Sequence, residues 1–88
     1  MEHEIRPIHK KIIDDRTWHL VIISGKNMNG LPFFSMVAVK DEIMKKLSQA
    51  QPPLNAADHG VVLAQGFAAC PPPLLQREVM DRFAEGNW

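Results

Sequence analysis

Tyrosine is absent from the chain and cysteine occurs once, at Cys70. A single cysteine cannot cross-link its own chain, and short secreted domains usually depend on such staples, so a reducing compartment and a cytoplasmic location are expected. The opening stretch MEHEIRPIHKK carries acids where a signal peptide carries bases, and no apolar segment follows it. No apolar run approaches the roughly twenty residues that span a bilayer. An excess of one charge is missing as well: ten basic and ten acidic residues leave a formal net charge of zero. There is thus no global field to draw in nucleic acid or an anionic membrane.

The chemistry-bearing motifs are equally sparse. His3, His9, His19, His59 and Cys70 show neither Cys-x-x-Cys nor His-x-x-x-His spacing, so no metal site is expected. Ser24 and Ser35 fall inside apolar runs and no Gly-x-Ser-x-Gly context occurs, which leaves no catalytic triad to assign. Gly60 and Gly66 match neither a dinucleotide fingerprint nor a phosphate-cradling loop, and no cofactor is implied.

What is present is the pattern of one small folded domain. The 88 residues are 45% hydrophobic and 23% charged, ordinary globular usage, with residues 1–7 expected as an N-terminal arm. Ile8–Ile13, IHKKII, alternates in the manner of an edge strand, its lysines suited to an edge that must not recruit other chains. DDRT then supplies turn residues before WHLVIISG, Trp18–Gly25, the densest β-branched and aromatic run. Asn29-Gly30 suits a hairpin turn, so LPFFSMVAV should fold back antiparallel, with Pro32 at the strand's start. Asp41 can cap a helix through DEIMKKLSQA with Ile43, Met44 and Leu47 inward, ended by Pro52 and Pro53. VVLAQGF, Val61–Phe67, is a further strand. Pro73 opens a last helix in which Leu75, Val79 and Phe83 recur every four residues beside Met80, and Gly86 stops it. The predicted fold is α+β, order β-β-β-α-β-α: a small antiparallel three- to four-stranded sheet with two helices packed on one face.

In that layout Trp18, Leu20 and Ile22 point to one face of the sheet and Val21 and Ile23 to the other, while the next strand offers Phe34, Met36 and Ala38 opposite Phe33, Val37 and Val39. Both faces are apolar, more than two short helices on one side can cover. The leading expectation is therefore a non-enzymatic interaction module that forms a homodimer or binds a protein partner, through a surface including Val21, Ile23, Phe34 and Met36. Trp88 joins that surface, because a terminal indole needs either to fold back or to insert into a partner. A rival reading is a small-molecule or anion site, with or without catalysis, where the last strand turns toward the last helix, lined by Asp58, His59, Gly66 and Cys70. Its bland counterpart is an Asx turn at Asp58, a surface His59 and an inert thiol held before Pro71. Nucleic-acid binding is a second rival, weakened because His9-Lys10-Lys11 and Lys45-Lys46 stand among acidic neighbours.

Overall fold

A computed structural model describes residues 3–49, 60–86 and 88. Strand β1 (His3–Ile13) pairs with β2 (Arg16–Lys26), β2 with β3 (Pro32–Lys40), and β3 with β4 (Val61–Gly66), every pairing antiparallel. Helix α1 (Asp41–Gln49) lies between β3 and β4 in sequence, and α2 (Pro73–Glu85) follows β4. The result is the expected α+β order around an open four-stranded sheet, β1-β2-β3-β4. The N-terminal stretch expected as an arm is, from His3 onward, part of β1, because its residues pair with Val21–Gly25 of β2.

The two hairpins divide their turn chemistry differently from the sequence expectation. Ile13 pairs with Arg16, so Asp14 and Asp15 form a two-residue turn, and both adopt positive φ, 51° and 65°. That is the geometry whose twist matches flanking strands, usually supplied by Asn-Gly. Asn29-Gly30 instead sits in a five-residue loop in which only Gly30 is left-handed. Asn27 organises it: its Oδ1 accepts the N–H groups of Asn29 (2.9 Å) and Leu31 (3.0 Å).

Strand alternation sorts the core into two layers. Leu20, Ile22, Phe34, Met36 and Ala38 project to one face and meet Val79 and Phe83 of α2. Val21, Ile23, Val37 and Val39 project to the other and meet Ile43 and Met44 of α1. The helices therefore cover opposite faces, not one face as the sequence suggested. The reason is connectivity plus burial: both faces of β2 and β3 are apolar, and one helix goes to each. Leu47, expected on the inner side of α1, has a side chain outside the described residues.

Each edge strand carries one extra residue. Pro7 pairs with Val21 and His9 with Leu20, leaving Ile8 without a partner. Leu63 is left over in the same way between Val62 and Ala64 of β4. Both side chains pack on the α2 layer. Bulges increase local twist and bend a strand, and here both edge strands carry one. The bulge also reassigns β1: Ile8, His9 and Lys11 go to the α2 side, whereas Ile12 stays on the other side, 69% exposed.

Helix α2 is closed at its C-terminus from two directions. Gly86, at φ 73° and ψ 18°, directs its N–H to the carbonyls of Arg82 and Phe83, a conformation glycine adopts without a Cβ penalty. The Lys11 ammonium donates to the Ala84 carbonyl, placing positive charge at the negative end of the helix dipole. Lys11 thus serves the helix rather than guarding the sheet edge. Trp88 folds back: its ring stacks on Phe83 at 5.6 Å, meets Trp18 edge-on at 4.9 Å, and its Nε1–H donates to the Phe83 carbonyl at 3.3 Å.

Candidate functional site

The surface expected to dock a partner is occupied from within. Val21, Ile23, Phe34 and Met36 are each no more than 3% exposed in the single chain, and Trp88 is half-buried against Phe83 and Trp18. The correction follows from the split of the helices, since each apolar face receives its own cover. Among the described residues, what remains open is an end of the α1 face.

α1 begins where β3 ends, at Asp41, so its shelter starts at the Lys40 end of the sheet. At the other end Phe33 and Ser35 of β3 share the α1 face with Gln65 of β4, because Phe33 pairs with Gly25, and Ser35 with both Ile23 and Gln65. Together with Asn27 from the hairpin loop and Phe67 just after β4, they line a groove of about 400 Å³. Phe34 and Gly66 complete its wall. A Cβ on Gly66 would lie 3.0 Å from the Phe34 ring, so glycine lets β4 settle against that ring. Phe67 is 79% exposed at the rim; Leu31 and Met28, on the adjoining loop, are exposed 52% and 96%.

The chemistry of this lining is simple. Among the described residues it contains no acid, base, thiol or imidazole that would activate the Ser35 hydroxyl. Its polar groups are few and Asn27 Oδ1 is already engaged by two backbone N–H groups. Aromatic walls with few polar anchors suit an apolar side chain or segment.

A second cluster lies at the opposite end, where α1 begins. His19 Nε2 stands 2.8 Å from Asp41 Oδ1, and Asp41 Oδ2 lies 3.5 Å from Lys45 Nζ. The hydrogen bond with His19 is the largest influence and, against the opposing effect of burial and with help from the Lys45 charge, holds the Asp41 carboxyl below its ordinary value. A His-Asp pair could serve as a general base, but it needs a nucleophile within hydrogen-bond reach. Ser35 stands four residues along β3 from Val39, the partner of His19, which is roughly 13 Å at strand rise. The pair instead ties the first turn of α1 to β2. Sequence reading missed it by weighing His19 only as an isolated ligand. The available signal was hairpin register, which sets His19 across from Val39, two residues before Asp41.

The rival site of the sequence reading does not assemble as drawn. Asp58 and His59 lie outside the described residues. Gly66 lines the apolar groove, whereas Cys70 is exposed and not part of its wall. Among the described residues no three His, Cys, Asp or Glu side chains stand together as a metal cluster. The basic run His9-Lys10-Lys11 is divided by the pleat, His9 meeting Phe83 edge-on and Lys11 capping α2, so it presents no single cationic patch. Trp18 is half-buried, with the Lys40 ammonium 5.7 Å from its ring, and provides no open platform for bases. No helix among the described residues is long and apolar enough to cross a membrane. Comparison with protein-family models, with curated proteins and with solved structures finds no match.

Proposed function

We propose that the protein is a non-enzymatic interaction module, working in the cytoplasm, whose groove at the open end of the α1 face receives an apolar part of a protein partner. The observation that carries this reading is the exposure of Phe67, 79%, at the mouth of a groove whose described lining residues bear no charge. Exposed aromatic side chains at the rim of an apolar concavity are characteristic of binding surfaces, since a solvent-facing ring otherwise gains nothing from its position. The single cysteine fits a reducing compartment.

The reading is tested with an environment-sensitive apolar dye. The folded protein should bind it, and Phe67→Gln should weaken binding about tenfold while leaving the thermal unfolding midpoint in place, because the ring contributes little to the core. Failure of the native protein to bind, or equal binding by the variant, removes the groove from consideration. Uptake of a small apolar molecule is a second reading, favoured by the groove's size of about 400 Å³, which lies in the range of ligand pockets.

A further inference from the structure

The two edges of the sheet are built for different company. β1 carries Arg6, Pro7 and Lys10 along an eleven-residue strand interrupted at Ile8, a combination that discourages pairing with another chain. β4, VVLAQG, carries no charge and no proline. Among the described residues no strand or loop pairs with its outer edge. An edge of that composition is a template for an added strand. The chain's net charge of zero offers no long-range repulsion between copies.

We propose that the chain also pairs with a second copy of itself, joined antiparallel along the outer edge of β4 across a two-fold axis, a step that shares with the proposed function only the reading of Phe67 as an interaction residue. Register decides whether such a pairing is possible, because residues directly opposite must point to the same face. Val62 and Gln65 lie on the α1 side, and Leu63, Ala64 and Gly66 on the α2 side, with Val61 paired to Ala38 of that same layer. Opposing Val61 to Gly66, Val62 to Gln65 and Leu63 to Ala64 matches faces at every position. Sliding the copies by one or two residues breaks the match, since Val62 then faces Gly66, Ala64 or Leu63, or Gln65 faces Ala64. The Leu63 bulge beside the axis is what makes the matched register self-complementary.

In this arrangement Phe67 of each copy falls opposite Gly60 of the other. Gly60 is held to glycine by its own fold, because a Cβ there would collide with the Ala38 carbonyl oxygen of β3, and so it presents no side chain to the opposing Phe67. An aromatic side chain over a strand glycine shields the backbone that the glycine leaves bare. The two rings together remove roughly 300 Å² from water in addition to the strand contact. That area lies well below the ~1,200 Å² of standard complexes, so the dimer is weak and reversible.

Sedimentation velocity on the full chain, from about 1 μM to 1 mM, tests the proposal across that range. The expected result is a concentration-dependent monomer–dimer equilibrium that Val61→Lys and Phe67→Asp each weaken at least about tenfold, with Leu74→Asp, an exposed position on α2, as the unaffected control. Hydrogen exchange should show β4 amides gaining protection with concentration and β1 amides not. A dimer indifferent to Val61→Lys, or one that protects β1 instead, overturns the pairing. A chain monomeric throughout overturns the second copy as partner; dye binding that still depends on Phe67 would then leave the interaction groove standing, whereas its loss would take both.

Discussion

Phe83 gives the sharpest test of the division of the core into two layers. Its ring is fully buried, stacked on Trp88 and edge-on to His9, at the centre of the α2 face. Truncation to alanine should cost about 4 kcal/mol, the usual range for a buried phenylalanine that leaves a cavity. A domain of this length holds roughly 4–13 kcal/mol in total, so Phe83→Ala removes about a third or more of it, and Phe83→Leu is the more informative variant. It should cost about 1–1.5 kcal/mol in urea unfolding. Both tryptophans, Trp18 and Trp88, belong to the α2 layer, so their emission should shift to the red as the stacked ring is lost. Val37→Ala, buried on the α1 face, should cost about 2 kcal/mol with no change in native emission. If Val37→Ala shifts the emission as far as Phe83→Leu does, or if Phe83→Leu leaves both stability and emission unchanged, the assignment of one helix to each face is wrong.

Other consequences are smaller and independent. Because Asp14 and Asp15 both hold positive φ, the double change Asp14→Asn with Asp15→Gly should stabilise the protein by about 1 kcal/mol, read as a raised unfolding midpoint; a lowered midpoint refutes the turn geometry. Lys11→Met keeps the apolar stem but removes the cap on Ala84, and should cost about 0.5–1 kcal/mol, with the loss shrinking in high salt. Asp41 has its carboxyl held below the ordinary 3.8 in the folded state. Its contribution is therefore present above that value and lost as pH falls through the lower folded value, and Asp41→Asn should flatten the acid limb of the stability profile below about pH 4. An unchanged acid limb in the variant would mean that the His19–Asp41 bond does not form in solution.

Legibility in the sequence followed the range of the interaction. Leu75, Val79 and Phe83 repeat at helical spacing, and Pro73 and Gly86 bracket them, all signals carried within one turn or two. The Trp18–Gly25 run is β-branched enough to be a strand in any context. The candidate groove was only half visible: Phe33 was recognised as facing away from Phe34, but nothing local says that Phe67 comes to lie beside it. That depends on Phe34 pairing with Gly66, a contact between residues thirty-two apart in the chain. His19 and Asp41 were separated for the same reason.

Alone, the amino-acid order settled the strands and helices apart from the His3–Pro7 part of β1, their succession, and the presence of apolar side chains on both sides of β2 and β3, because propensity, capping and alternation act over a few residues. Tertiary structure decided which helix covers which side, that Ile8 and Leu63 bulge, that Lys11 caps α2, and that Trp88 folds back. Those outcomes depend on distant surfaces meeting and excluding water together, a free energy belonging to the assembled layers and to no single stretch of chain.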